Sequence, residues 1–423
     1  MPASDVHRQI EAVWRIESAR IIAGLARVVR DVGLAEELAH DALVAALEQW
    51  PESGVPDNPG AWLTVTARRR AIDLFRRNER LARKQEEIGR DLEVHQERAL
   101  AEFDSAVADD VDDDVLRLMF TACHPVLSTE ARVALTLRLL GGLGTDEIAR
   151  AFLVPEPTVA QRIVRAKRTL ATKKVPFEVP SGDELAPRLS SVLEVIYLVF
   201  NEGYSATAGD DWMRPSLCRE ALRLGRILAE LAPKEPEVHG LVALMEIQAS
   251  RSAARLGPGG DPVPLLEQDR SRWDRLLIRR GLAALVRGQA LGGPPGPYLL
   301  QATIASCHTG AFAEDTDWAL VARLYAVLAT VLPSPVVELN RAVAVGMTDG
   351  PTAGLALTDD LVDEPSLRGY HLLPSVRADF LAKLGRDDEA RTEYERAAGL
   401  TRNTRERSLL LERAAALPAT SAR

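Results

Sequence analysis

The chain has 423 residues, 46% hydrophobic and 27% charged, a composition that forms a core and stays in water. No apolar run reaches the ~18 residues that span a bilayer, and the opening Met1-Pro-Ala-Ser-Asp-Val-His-Arg has no apolar signal segment. Three widely separated cysteines, Cys123, Cys218 and Cys307, argue against a disulfide framework and suit a reducing compartment, so a cytoplasmic chain with no membrane partner is expected.

The formal charge of −9 hides an asymmetry. Residues 83–114 hold four Lys and Arg against twelve Asp and Glu, whereas 115–175 hold ten against four. Screening removes distant charge within about 10 Å, so the local face decides whether phosphate is met. The net charge therefore does not exclude a nucleic acid.

Helix is predicted nearly everywhere, because Ala, Leu, Arg and Glu dominate and period-2 alternation is scarce. The expected fold class is all-α. Residues 7–82 form a first helical unit. Within Asp31–Trp50, Glu37, Asp41 and Glu48 make an acidic stripe opposite Leu34, Leu38 and Ala45. A solvated helix face gives the same pattern. The loop Pro51–Pro59 follows, with three prolines and a glycine. Beyond it, Arg68–Arg80 carries six Arg against Asp73 and Glu79, on a helix whose Trp62, Val65, Ile72 and Phe75 can seed a buried stripe. A Trp-bearing basic helix suits splayed single-stranded bases, although an Arg-rich helix is more often only a solvated face.

Residues 83–114, ending in Asp109-Asp110-Val111-Asp112-Asp113-Asp114, read as an acidic linker. Residues 115–175 then carry the clearest motif. Thr145 can cap a short helix whose first turn holds Asp146 and Glu147. A turn at Leu153-Val154-Pro155 leads to a second helix with an inner stripe of Val159, Ile163, Ala166 and Leu170. Gln161, Arg165 and Arg168 recur at i, i+4 and i+7 on another face, beside Arg162. This is a helix-turn-helix pattern, and a major groove requires such a face: Arg reads guanine, Gln reads adenine, and flanking cations neutralise phosphate.

From 184 to 417, helical hairpins alternate with Pro/Gly breaks. Leu384-Gly385…Glu389-Ala390…Tyr394…Ala397 is similar to the tetratricopeptide pattern, and a weaker unit lies near Pro335–Leu361. A generic helical array with one chance match is the alternative, and either arrangement would offer an extended surface to a partner. Asn201-Glu202-Gly203-Tyr204 reads as a helix end with Gly203 left-handed, or as a small-ligand or docking site. Cys123-His124 and Cys307-His308 lack metal-site spacing, and no phosphate loop or nucleophile elbow is present, so no metal, cofactor or enzymatic activity is expected.

In this order and spacing, Leu34–Trp50, Ala61-Trp62-Leu63…Arg70-Ala-Ile-Asp-Leu74 and Ile148…Pro155-Glu-Pro-Thr158-Val159…Arg165-Ala-Lys-Arg168 resemble bacterial sigma factors of the extracytoplasmic-function type, in the sigma-70 family. The resemblance makes 7–82 region 2 and 115–175 region 4. It implies core RNA polymerase binding through Leu34, Glu37, Leu38, Asp41, Val44, Glu48 and Trp50. It implies −10 recognition of promoter DNA by Asn58, Trp62, Arg68, Arg69, Arg70, Arg76 and Arg77. It places −35 recognition on Thr158, Gln161, Arg162, Arg165, Lys167 and Arg168. The 184–417 region, with Phe200–Tyr204 and Trp212-Met-Arg-Pro215, is similar to the subgroup with a tetratricopeptide-like C-terminal extension that modulates activity. Members of that subgroup are often encoded beside small YCII-like (DGPF) proteins, which makes such a protein a possible regulatory partner. Two other functions remain open: a helix-turn-helix regulator with a sensory helical array, and a tetratricopeptide scaffold that binds no DNA.

Overall fold

The computed structural model describes residues 3–85 and 111–418. The expected linker therefore lies mostly outside the described residues, and the chain divides into two units, 1–196 and 197–423. The fold is all-α. Among the described residues, the only strands are the two-residue β1 (Ala208–Gly209) and β2 (Arg402–Asn403), paired in parallel.

In the first unit, α1 (Ala3–Val29), α2 (Val32–Ser53) and α3 (Pro59–Gln85) pack on one another. Asp31 starts α2 by accepting the Leu34 N–H at 3.0 Å, and Asn58 starts α3 by accepting the Ala61 N–H at 3.0 Å. The core of the three is Ile10, Ile22, Trp50 and Leu63, spaced by alanines that let the helices approach closely. The expected stripe on α3 is out of phase. Leu63, Ala67 and Ala71 are the buried residues, Val65 is 46% exposed, and Trp62, Ile72 and Phe75 are half-buried on the flanks. The small side chains at Ala67 and Ala71 face inward because there the helices are closest.

Helix α4 (Val111–Ala122) begins inside the expected linker, and Asp114 is buried in it, paired with Arg27 at 3.3 Å and Arg117 at 2.6 Å. Then follow α5 (Thr129–Leu139), α6 (Thr145–Phe152) and α7 (Glu156–Thr172), around Phe120, Leu135, Leu137 and Leu140. Thr145 is not the cap of α6. Gly144 holds that position, and its N–H donates to the Glu147 carboxylate at 2.8 Å. Helix α8 (Leu185–Tyr204) begins in this unit, where Ser191 donates to the Cys123 carbonyl at 2.6 Å and Arg188 to the Phe120 carbonyl at 2.9 Å.

The second unit runs from the end of α8 through α9 (Pro215–Leu231), α10 (Pro236–Ser250), α11 (Arg275–Ala290), α12 (Pro297–Ser306), α13 (Trp318–Val331), α14 (Pro335–Thr348), α15 (Pro351–Asp359), α16 (Leu372–Lys383), α17 (Asp387–Leu400) and α18 (Thr404–Ala416). Prolines open α9, α10, α12, α14 and α15, where the backbone N–H has no intrahelical acceptor to lose. From α9 to α18 each helix pairs with its neighbour, so the helical array expected from the sequence is present. In the α16–α17 hairpin, Ala390, Tyr394 and Ala397 are buried as the repeat pattern predicts, with Gly385 at φ +73° in the turn. The array also folds back on its start. Asn403 donates through its amide to the carbonyls of Ala206 (3.2 Å) and Asp211 (3.0 Å), next to the β1–β2 pairing. Gly203 is not a left-handed helix end. It lies inside α8, where a Cβ would come within 2.6 Å of the Cys218 backbone nitrogen, so α8 and α9 touch there.

Candidate nucleic-acid interface

Helix α7 buries Val159, Ile163, Ala166 and Leu170, the stripe that the spacing predicts. That fixes the rotation of the helix and leaves Gln161, Arg165 and Arg168 exposed, with Val164 at 62% exposure among them. Thr158 and Arg162 are half-buried on one flank. No acid occurs between Pro157 and Lys174. The turn into α7 places Leu153 at φ +50°, a left-handed conformation unfavourable for a branched side chain.

Lys167 is on the opposite flank and does not join that face. Its ammonium is ion-paired with Glu36 of α2, a carboxylate only 3% exposed. Arg138 of α5 donates to the same carboxylate at 2.6 Å, to the Leu143 carbonyl at 3.2 Å, and contacts His40 Nε2 at 2.7 Å. Burial pushes the Glu36 carboxyl up, but Lys167 and Arg138 outweigh it and hold it below the ordinary carboxylate range. Burial and then Arg138 push the His40 imidazole down, so it is neutral near pH 7 and its Nε2 accepts from the guanidinium. The hub joins α2 to α5 and α7, so the two expected modules pack together within the first unit.

The residues expected to meet polymerase separate into two groups. Glu37, Asp41, Val44 and Glu48 are exposed along α2, and Leu34 is half-buried. Leu38 and Trp50 are 5% and 1% exposed, so they form the core behind that face and cannot be part of it. On α3, Arg69, Arg70, Arg76 and Arg77 are exposed and Arg68 is half-buried. Trp62 lies edge-on to buried Trp50, ring centroids 5.3 Å apart, which ties the proline-loop helix to α2. Asn58 is the α3 cap. Cys123 is buried with its sulfur 3.3 Å from Thr136 Oγ1, and burial pushes its thiol up to about 11, so it packs as an inert core group.

Sequence reasoning missed Glu36, His40 and Arg138. One signal existed: Glu36 shares the inner face of α2 with Val32, Ala35 and Ala39, and a carboxylate there requires a cation.

A helix-turn-helix with an acid-free outer face, and a basic helix behind a proline loop, are the two features that a two-region DNA-binding protein would present. Residues 16–81 match Sigma-70 region 2, residues 117–170 match Sigma-70, region 4, and residues 188–289 match a family of unknown function (DUF6596). An uncharacterized protein of Rhizobium meliloti (strain 1021) is 42% identical over 406 residues, covering 95% of each chain. No solved structure matches. The chain belongs to the sigma-70 family, with a C-terminal helical extension. It is a sigma factor in promoter recognition, a role that joins core RNA polymerase to promoter DNA and is non-catalytic in this family. No described helix is long and apolar enough to cross a membrane.

Proposed function

We propose that the chain is an initiation factor of the extracytoplasmic-function type, acting in the cytoplasm, in which the outer face of α7 reads the −35 element. Gln161, Arg165 and Arg168 take the base edges, and Thr158 and Arg162 position the helix on the backbone. Lys167 is left out of this set because Glu36 engages it. Asn58, Trp62 and the arginines from Arg68 to Arg77 serve the −10 element. The exposed face of α2, Glu37, Asp41, Val44 and Glu48, with Leu34 at its edge, serves polymerase. The observation that carries the reading is the rotation of α7: a wholly apolar back fixes a front with cations, an amide and no acid. The test is a footprint of the holoenzyme, assembled from core polymerase and the full chain. Arg165→Ala with Arg168→Ala should lose −35 protection while polymerase still binds. Unchanged protection would refute the assignment.

The extension is proposed to modulate this activity. Ser191 and Arg188, at the start of α8, bond to the carbonyls of Cys123 and Phe120 in and beside α4, next to the helix-turn-helix. A small YCII-like protein is the proposed regulatory partner, and co-purification from cells carrying both tests it. A chain truncated after Lys174 that transcribes as well as the full chain would refute the modulating role.

A further inference from the structure

The C-terminal array forms an open-mouthed cavity of about 500 Å³, a size typical of small-molecule sites. Its wall comes from α8, α10, α12, α13 and α14, with Leu265 and Trp273 from the loop between α10 and α11. Most of it is apolar: Leu244, Ile247, Ile304, Leu328 and Val337. The polar groups converge instead of scattering. Tyr197 donates to Gln301 at 3.1 Å, and Asn201, Gln248 and Asn340 also line the wall.

The charge of this wall is unbalanced. Arg251 lines the cavity, and no Asp or Glu does. One Arg251 nitrogen, Nη2, donates to the Tyr204 hydroxyl at 2.6 Å and to the Gln248 side-chain oxygen Oε1. The Tyr204 and Trp273 rings each lie 5.7 Å from the guanidinium carbon. These contacts orient the fork without neutralising it, and Nε and Nη1 donate to nothing among the described residues. Two further polar atoms of the wall residues are buried without a partner: His308 Nδ1 and Trp273 Nε1, the latter on a side chain 2% exposed. Buried polar atoms are almost always paired, so these two are open to a hydrogen bond from a bound molecule. Burial, then Arg251 and Arg270, push the His308 imidazole down to about 4, so it is neutral at pH 7 and adds no second charge.

We infer that this cavity binds a small organic monoanion, a carboxylate on an aromatic or aliphatic body, with Arg251 taking the carboxylate. With Nη2 engaged by Tyr204 and Gln248, Nη1 is the donor left for a carboxylate oxygen, a single charge-assisted hydrogen bond. The apolar wall takes the body, and His308 and Trp273 offer hydrogen bonds at its edge. Among the lining residues a dianion or phosphate finds one cation, and a neutral ligand leaves that cation uncompensated. The site stands apart from promoter recognition, since binding is read without DNA or polymerase.

The test is calorimetric titration of the full chain with 2-naphthoate and with its neutral amide, 2-naphthamide. Naphthoate should bind one site and naphthamide at least tenfold more weakly. Arg251→Gln should abolish that difference, and Arg251→Lys should keep part of it. Because Arg251 also bonds Tyr204, a second variant, Ala305→Trp, fills the cavity without altering charge and should remove naphthoate binding. Equal affinity for the two probes, no binding of either, or naphthoate binding that survives both Arg251→Gln and Ala305→Trp would overturn the inference.

Discussion

Glu36 of α2 and Lys167 of α7 form a buried ion pair that joins the polymerase-side helix to the −35 helix. Arg138 completes the hub on the other carboxylate oxygen. A carboxylate this buried is tolerated only while its cations stay. Arg138→Met should therefore destabilise the first unit by about 2–4 kcal/mol, because one cation remains where two stood. Adding Glu36→Gln should restore most of it. Denaturant unfolding followed by amide exchange in α2 and α7 checks both; equal loss in the single and double variants would argue against the hub.

Lys167 and Arg162 lie on opposite flanks of α7, so their salt behaviour should differ. Arg162→Ala, which removes a backbone contact, should lower the slope of log affinity against log salt by about 1, whereas Arg165→Ala should cost roughly 1–3 kcal/mol at its base. Lys167→Ala should leave that slope unchanged. Filter binding of holoenzyme across a salt series is the measurement, with a melting control to show that the fold persists.

The hub also sets a pH dependence. His40 is pushed down by burial and Arg138, so its unfolded form takes a proton more readily, and stability falls as pH drops below about 6.5. Glu36 is held low, so its contribution is complete above about pH 4.3 and is lost as pH falls through its folded value. Both act in one direction. His40→Gln keeps an acceptor for Arg138 and should flatten the melting profile between pH 7 and pH 5, while leaving the steeper acid loss in place.

Leu153 occupies a left-handed turn that costs a branched residue roughly 1 kcal/mol. Its side chain is 53% exposed, so little packing is lost on replacement. Leu153→Asn should stabilise the unit by about 0.5–1 kcal/mol, because Asn tolerates that conformation. A calorimetric melt decides the sign.

Gly203→Ala should act oppositely in the second unit. Its Cβ would meet the Leu217 Cβ at 2.8 Å and the Cys218 nitrogen at 2.6 Å, where the chain cannot yield without separating α8 from α9. A loss of about 1–3 kcal/mol, typical of overpacking, is expected in the unfolding of the array.

Much of this was legible in the sequence, and the misses share a cause. Periodicity placed the buried stripe of α7 because four apolar residues at helical spacing permit only one rotation. The same method chose the large residues on α3, where the closest packing selects Ala67 and Ala71. Glu36 was invisible as a hub because Arg138 and Lys167 are more than 100 residues away, and helix phase shows only that a partner is needed. Composition groups Lys167 with its basic neighbours because it does not record which flank faces α2. The stretch Asn201–Tyr204 reads as hydrogen-bonding residues beside an apolar helix, but the cavity that Asn201 lines needs α10, α12, α13 and α14, which no local pattern assembles.

The most direct measurement is run-off transcription with purified core polymerase and the full chain, on a template taken from the protein's own genomic footprint. A transcript with a defined start, dependent on the chain and lost in the Arg165→Ala, Arg168→Ala double variant, is the predicted result. Core polymerase that yields no defined transcript with the chain, or the same transcript without it, would contradict the account.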